Sequence, residues 1–284
     1  MSVAAAQYLA LADAGRNAWW RYGLGLLFLA ACWLIGGAYA YTTTMDAGLF
    51  GSVNEFVAIN ASVLTLLVGV VTVVVVLHGR GWRTLVTPRL YLDWRRILEG
   101  AAVWIVLAVV FSALENLLYP GRYAWSLNLH AWLPFAVAAL LLTPLQCAAE
   151  ELVFRGYLVQ ALGRVLRRPA GLAVLSAAIF TLPHLFNPEI AAYGAAIMAA
   201  NYFVMGLFLA SVALRDGRLE LAIGAHAGNN LLLALFINYE DSVFHTESMF
   251  TGGALDPVYS LVTLVLSALV FHFWVFSKRR DRHA

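Results

Sequence analysis

AWLPFAVAALLLTPLQCAAEELVFRG, residues 131–156, carries both the fold and the chemistry of this chain. Its first part, 131–149, contains no charged residue. About 20 such residues suffice to cross roughly 30 Å of hydrocarbon as a helix. Its second part sets Glu150, Glu151 and Arg155 directly against that run, a setting in which ionisable groups are costly and mark functional sites. Seven similar apolar runs surround it, at 23–41, 56–78, 97–118, 171–187, 190–213, 219–238 and 258–277. The expected fold is therefore all-α, a polytopic membrane protein built as a bundle of about eight transmembrane helices.

Composition points the same way. Hydrophobic residues make up 62% of the 284 and charged residues 12%, against roughly 45–50% and about 25% in soluble domains. Lipid must solvate most of the surface, which excludes a disordered chain. Cys32 and Cys147 both fall in apolar runs, where reduced, buried thiols are the default, so a disulfide scaffold is excluded too. A net charge of +2 is too small to imply a nucleic-acid partner.

The distribution of charge says more than its total. If eight helices alternate in direction, 17 of the 18 Lys and Arg share one side with both termini, and only Arg122 lies opposite. The opposite loops carry Asp46, Glu55, Glu189, Glu240, Asp241, Glu247 and Asp256. The positive-inside rule then makes both termini cytoplasmic. The first basic residue is Arg16, so the N-terminus is not read as a cleaved signal peptide. The expected organisation is a cytoplasmic N-terminal segment at 1–22, one transmembrane domain at 23–277 with a catalytic core at about 130–240, and a basic cytoplasmic tail at 278–284. The Arg-rich stretch 79–96, with Trp82, Tyr91 and Trp94, reads as a cytoplasmic interfacial loop.

Glu151 and Arg155 stand one helical turn apart, which suits an ion pair. Glu150 is turned about 100° away and is left free for chemistry; the competing reading is a cytoplasmic helix end where all three are solvated. The fifth run carries Phe180, Pro183 and His184, and the seventh carries His226 and Asn230, so that Phe180–His184 and His226–Asn230 are each spaced i, i+4. A lone intramembrane His is usually a packing residue, but two of them with a double Glu point to a site. Pro144 and Pro183 remove backbone donors and widen the space between helices. Gly224 and Gly228 flank His226 and allow close helix approach. Counting ~1.5 Å per residue puts His184 about 20 Å and His226 about 10 Å deep. Glu115 is expected to snorkel outward and His272 to pack, with Gln146, Asn201 and Asn229 as interhelical glue. No Gly-x-Ser-x-Gly, Walker, His-Glu-x-x-His or Cys-x-x-Cys motif occurs.

Glu-Glu-x-x-x-Arg, Phe-x-x-x-His and His-x-x-x-Asn, in this order on separate runs, resemble the CPBP intramembrane proteases. That family groups CAAX prenyl endopeptidases with bacteriocin-processing and self-immunity (Abi-type) proteins. The resemblance covers about 130–240. It implies an endopeptidase acting on a membrane-associated or lipidated peptide or protein, integral to a prokaryotic plasma membrane. On this reading Glu150 and His184 activate a water, His226 and Asn230 form the oxyanion hole, and Glu151, Arg155 and Phe180 support the site. The preferred chemistry needs no cofactor. The alternative is zinc held by Glu150, His184 and His226. The rival functions are a non-catalytic scaffold or immunity protein, a metal or proton transporter, and a haem-binding anchor; the double Glu and the concentration of charge on three helices favour the protease.

Overall fold

The structure, a computed structural model, describes residues 1–239, 242 and 246–277. The tail cations Lys278, Arg279, Arg280 and Arg282, and the loop acids Glu240 and Asp241, lie outside the described residues. Helix α1 (Val3–Ala10) is capped by Ser2, whose hydroxyl accepts from the Ala5 N–H. It is followed by α2 (Trp19–Ala47), α3 (Gly51–Leu77) and α4 (Trp94–Leu118). Strand β1 (Tyr123–Trp125) leads to α5 (Leu129–Leu162), α6 (Pro169–His184), α7 (Pro188–Tyr193), α8 (Ala195–Asp216) and α9 (Glu220–Leu235). Strands β2 (Ile237–Tyr239) and β3 (Phe250–Gly252) precede α10 (Pro257–Ser277).

Each of the eight expected spans has its helix. Six are long and apolar enough to cross a membrane: α2, α3, α4, α5, α8 and α10. The other two, α6 and α9, have 16 residues each and reach only about 24 Å at ~1.5 Å per residue. Residues 220–228 of α9 are all buried, whereas α6 buries one face, from Leu172 to Thr181. The molecule is a polytopic, all-α integral membrane protein.

The close contact of α9 with α4 is made possible by glycine. A Cβ on Gly224 would collide with the Ile97 carbonyl, and one on Gly228 would stand 2.9 Å from the carbonyl oxygen of Ala101. The small residues flanking His226 thus fix which helix lies behind it. The apolar core is centred on Trp104, Phe208 and Phe271, whose rings lie 4.5–6.2 Å apart.

One sequence expectation changes here. The fourth helix does not stop at residue 149. It runs on to Leu162 through a π-helical stretch, Leu152–Leu158, so the Glu-Glu-x-x-x-Arg motif is interior and the solvated-end reading fails. The N-terminal segment packs onto the bundle. Tyr8 of α1 is fully buried, its hydroxyl donating between the carbonyls of Leu85 at 2.7 Å and Arg155 at 3.0 Å. Helix α1 also covers the turn between α8 and α9, where Gly217 adopts a left-handed φ of 72° and a Cβ would meet the Ala4 carbonyl at 2.8 Å.

Arginines on the basic face are partly consumed by structure. Arg96 pairs with Asp216 at 2.9 Å, and Arg218 bridges Asp93 at 3.1 Å and Asp216 at 3.2 Å. Tyr91 and Trp94 remain exposed, as an interfacial loop requires. On the opposite face β3 pairs antiparallel with β1 and parallel with β2. Glu115 does not snorkel there. It is buried, paired with Arg122 at 2.9 Å and hydrogen-bonded by Tyr123 of β1.

Candidate active site

The site is assembled from α5, α6, α8 and α9. On α5, Glu151 and Arg155 have no solvent-exposed side-chain surface and pair at 2.9 Å through Oε1 and Nη1. Arg155 Nη2 also donates to the Gly206 carbonyl of α8 at 3.2 Å. Its guanidinium carbon lies 4.2 Å from the centre of the Phe180 ring on α6. One charge is therefore met by a carboxylate, a carbonyl and an aromatic face at once. Cation–π contact of this kind strengthens when water is excluded.

Glu151 has a second partner. His226 of α9 donates from Nδ1 to the same Oε1 at 2.9 Å. This bond assigns the Nδ1 proton and turns Nε2 toward Glu150, whose Oε2 lies 4.0 Å away. Glu150 Oε1 accepts from Gln146 Nε2 at 2.7 Å, while Oε2 is buried and takes no hydrogen bond among the described residues. Arg155 thus pairs with Glu151, while Glu150 is held by Gln146 through one oxygen.

His184 ends α6. Its Nδ1 donates to the Phe180 carbonyl at 2.7 Å, which leaves Nε2 as the available nitrogen. Its ring lies 4.3 Å from that of Phe180 and 4.7 Å from that of Tyr202 on α8. Phe180 in turn lies 6.2 Å from the His226 ring.

The Phe180 ring contacts both histidines and so links the two helices at the site. Ser176 on α6 donates to the Phe154 carbonyl on α5, and His226 meets Glu151, so α6 starts farther out on the basic side than α9 does. The start of α9 is itself internal, because residues 216–222 are buried under α1 and the arginine network.

Asn230 lies one turn beyond His226 and is half-buried. Its Oδ1 accepts from Asn229 Nδ2 at 3.0 Å, and Asn229 Oδ1 accepts from Trp104 Nε1 at 3.0 Å. The relay occupies the Asn230 Oδ1 as an acceptor. No contact joins Asn230 directly to Glu150 or His184 among the described residues.

Sequence reasoning missed three neighbours. Gln146 was assigned to interhelical glue but binds Glu150 on its own helix. Cys147, read as an inert buried thiol, interacts with His226. Tyr202 carried no motif signal, although its hydroxyl accepts from Asn187 at 2.9 Å and ties the segment after His184 to α8.

Glu150, His184 and His226 are zinc-ligand types, but the structure does not draw them together at ligand spacing. Ligand atoms about 2.0 Å from a tetrahedral zinc lie about 3.3 Å apart, whereas Glu150 Oε2 and His226 Nε2 are 4.0 Å apart. His184 turns its ring onto Phe180 and Tyr202 instead. Among the described residues, no three His, Cys, Asp or Glu side chains gather as a metal site.

Residues 128–232 match the family profile described as Rce1-like, type II CAAX prenyl endopeptidase. The matched segment contains every residue of the three motifs. The chain is also similar to Uncharacterized protein YyaK of Bacillus subtilis (strain 168), at 28% identity over 94% of this chain and 96% of that protein. No solved structure matches it significantly.

Proposed function

We propose that this protein is an endopeptidase that hydrolyses a peptide bond of a membrane-associated or lipidated substrate with a water activated by Glu150 and His184. The observation that carries the reading is the buried, unpartnered Oε2 of Glu150, 4.0 Å from His226 Nε2. A water with arms of about 2.8 Å bridges such a gap. Glu150 takes a proton from the water as its oxygen bonds to the scissile carbonyl carbon. The carbonyl oxygen becomes an oxyanion, to which a protonated His226 Nε2 and the Asn230 amide donate. Glu150 then returns the proton to the leaving nitrogen as the carbon–nitrogen bond breaks, giving a carboxylic acid and an amine. His184 presents Nε2 to the water from a ring clamped by Phe180 and Tyr202.

Glu151 holds the His226 ring in one orientation through Nδ1, and Arg155 holds Glu151 in place. None of these steps needs a metal. Zinc on Glu150, His184 and His226 is the alternative, and metal analysis of purified wild type and His226→Ala decides it; stoichiometric zinc lost with His226 overturns the metal-free mechanism. The partition of Lys and Arg supports a reading in which both termini face the cytoplasm.

The experiment for the function is a comparison of membrane peptides in host cells expressing wild type or Glu150→Gln. Cleavage products present only with wild type are the expected result. Identical peptide profiles favour the scaffold or immunity reading.

A further inference from the structure

Gln146 stands one helical turn before Glu150 on α5, and both are more than nine-tenths buried. Its Nε2 donates to Glu150 Oε1 at 2.7 Å, and its own Oε1 is 3.9 Å from the Cys147 thiol sulfur, which donates to it. A carboxylate only accepts, so the amide nitrogen must face Glu150. The thiol on the other side reinforces that orientation. No other hydrogen bond holds Oε1 of Glu150, and Oε2 has no partner among the described residues. The two oxygens of the same carboxylate are thereby made unequal: one tied back along its own helix, the other directed at His226 Nε2.

We propose that Gln146 is a positioning residue for the hydrolysis, holding Oε1 of Glu150 so that Oε2 alone meets the water. The proposal rests on Glu150 being the base, as set out above. A catalytic carboxylate must be held within a fraction of an ångström of its productive position, and a long Glu side chain has three torsions to restrain. Helix geometry supplies the restraint here, because i and i+4 side chains lie over one another. Gln has the length and the donor for this. Met has the length without the donor, and Asn has the donor without the length.

The test is the carboxyl infrared band of Glu150, identified as the band missing from the Glu150→Gln difference spectrum of the purified full-length protein. In Gln146→Met this band shifts, and kcat on a peptide cleaved by wild type falls about 10-fold or more while KM stays within about twofold, the signature of an interaction used in the transition state. Should Gln146→Met not accumulate, Gln146→Asn serves the same comparison. A band that does not move while wild type cleaves overturns the role of Gln146, and so does a loss confined to the melting temperature. A shifted band in a protein whose wild type cleaves nothing sinks the protease reading and the role with it, but leaves the hydrogen bond standing, so the two failures are distinguishable.

Discussion

His226 Nδ1 donates to the same Glu151 oxygen that receives Arg155 Nη1, each at 2.9 Å. A single carboxylate oxygen therefore joins two turns of α5 to α9 across 75 residues of sequence. The ion pair is not mere neutralisation of an awkward charge, because it sets the direction of the histidine facing Glu150.

Arg155→Met leaves the Glu151 carboxylate buried without its cation. Breaking a buried pair from one side costs about 3–5 kcal/mol, so the variant should unfold at lower temperature in detergent and accumulate poorly. Thermal unfolding followed by a thiol-reactive dye measures this, and an unchanged profile contradicts the structural role given to Arg155.

His78 predicts a pH dependence at the N-terminal segment. Its ring is fully buried. Nδ1 donates to the Arg16 carbonyl at 2.7 Å, and Nε2 accepts from the Tyr157 hydroxyl at 3.0 Å. Burial holds the imidazole below its ordinary value of 6.5, helped by Arg80 and Arg21. Folding favours the neutral form, so this contribution is fully present above pH ~6.5 and is lost as pH falls through the lower folded-state value. Hydrogen exchange across residues 3–22 should speed up on acidification in wild type, and His78→Gln should flatten that response.

The spans were legible because lipid demands long apolar runs, and the Glu151–Arg155 pair because the spacing of four is a local property of a helix. The end of the fourth helix was not. Hydropathy falls at Glu150, but the helix continues because Tyr8 and Leu85 pack against it, and hydropathy reports solvent rather than backbone. The level of His226 was hidden for a related reason: its distance from the helix start is local, whereas the burial of that start under α1 is tertiary. Gln146 was visible at i, i+4 from Glu150 but was read as a contact between helices. Tyr202 gave no signal, since ring stacking on His184 leaves no pattern in sequence. Three-residue strands are too short to alternate, so the sheet that buries Glu115 could not be read.

Topology is tested by single cysteines in a background with Cys32 and Cys147 replaced by alanine. Phe50 and Trp125 are exposed on one face, and Tyr91 and Val165 on the basic face. Membrane-impermeant maleimide on intact cells should label the first pair, and the second only after lysis. Labelling of one residue from each pair contradicts the alternating arrangement.

The central claim is that Glu150 is the base and that His184 works with it on one water. The direct measurement is the cleavage rate of one peptide, identified from the wild-type membrane, by wild type, Glu150→Gln, His184→Ala, their double variant and Asn230→Ala. Loss of a general base costs ~10²–10⁴-fold, and residues acting as a unit are not additive. Each of the two single variants should therefore come close to abolishing cleavage, with the double variant little worse. Asn230→Ala, lacking one oxyanion donor worth ~10²–10³-fold, should retain measurable activity. A Glu150→Gln enzyme that cleaves within about 10-fold of wild type contradicts the account.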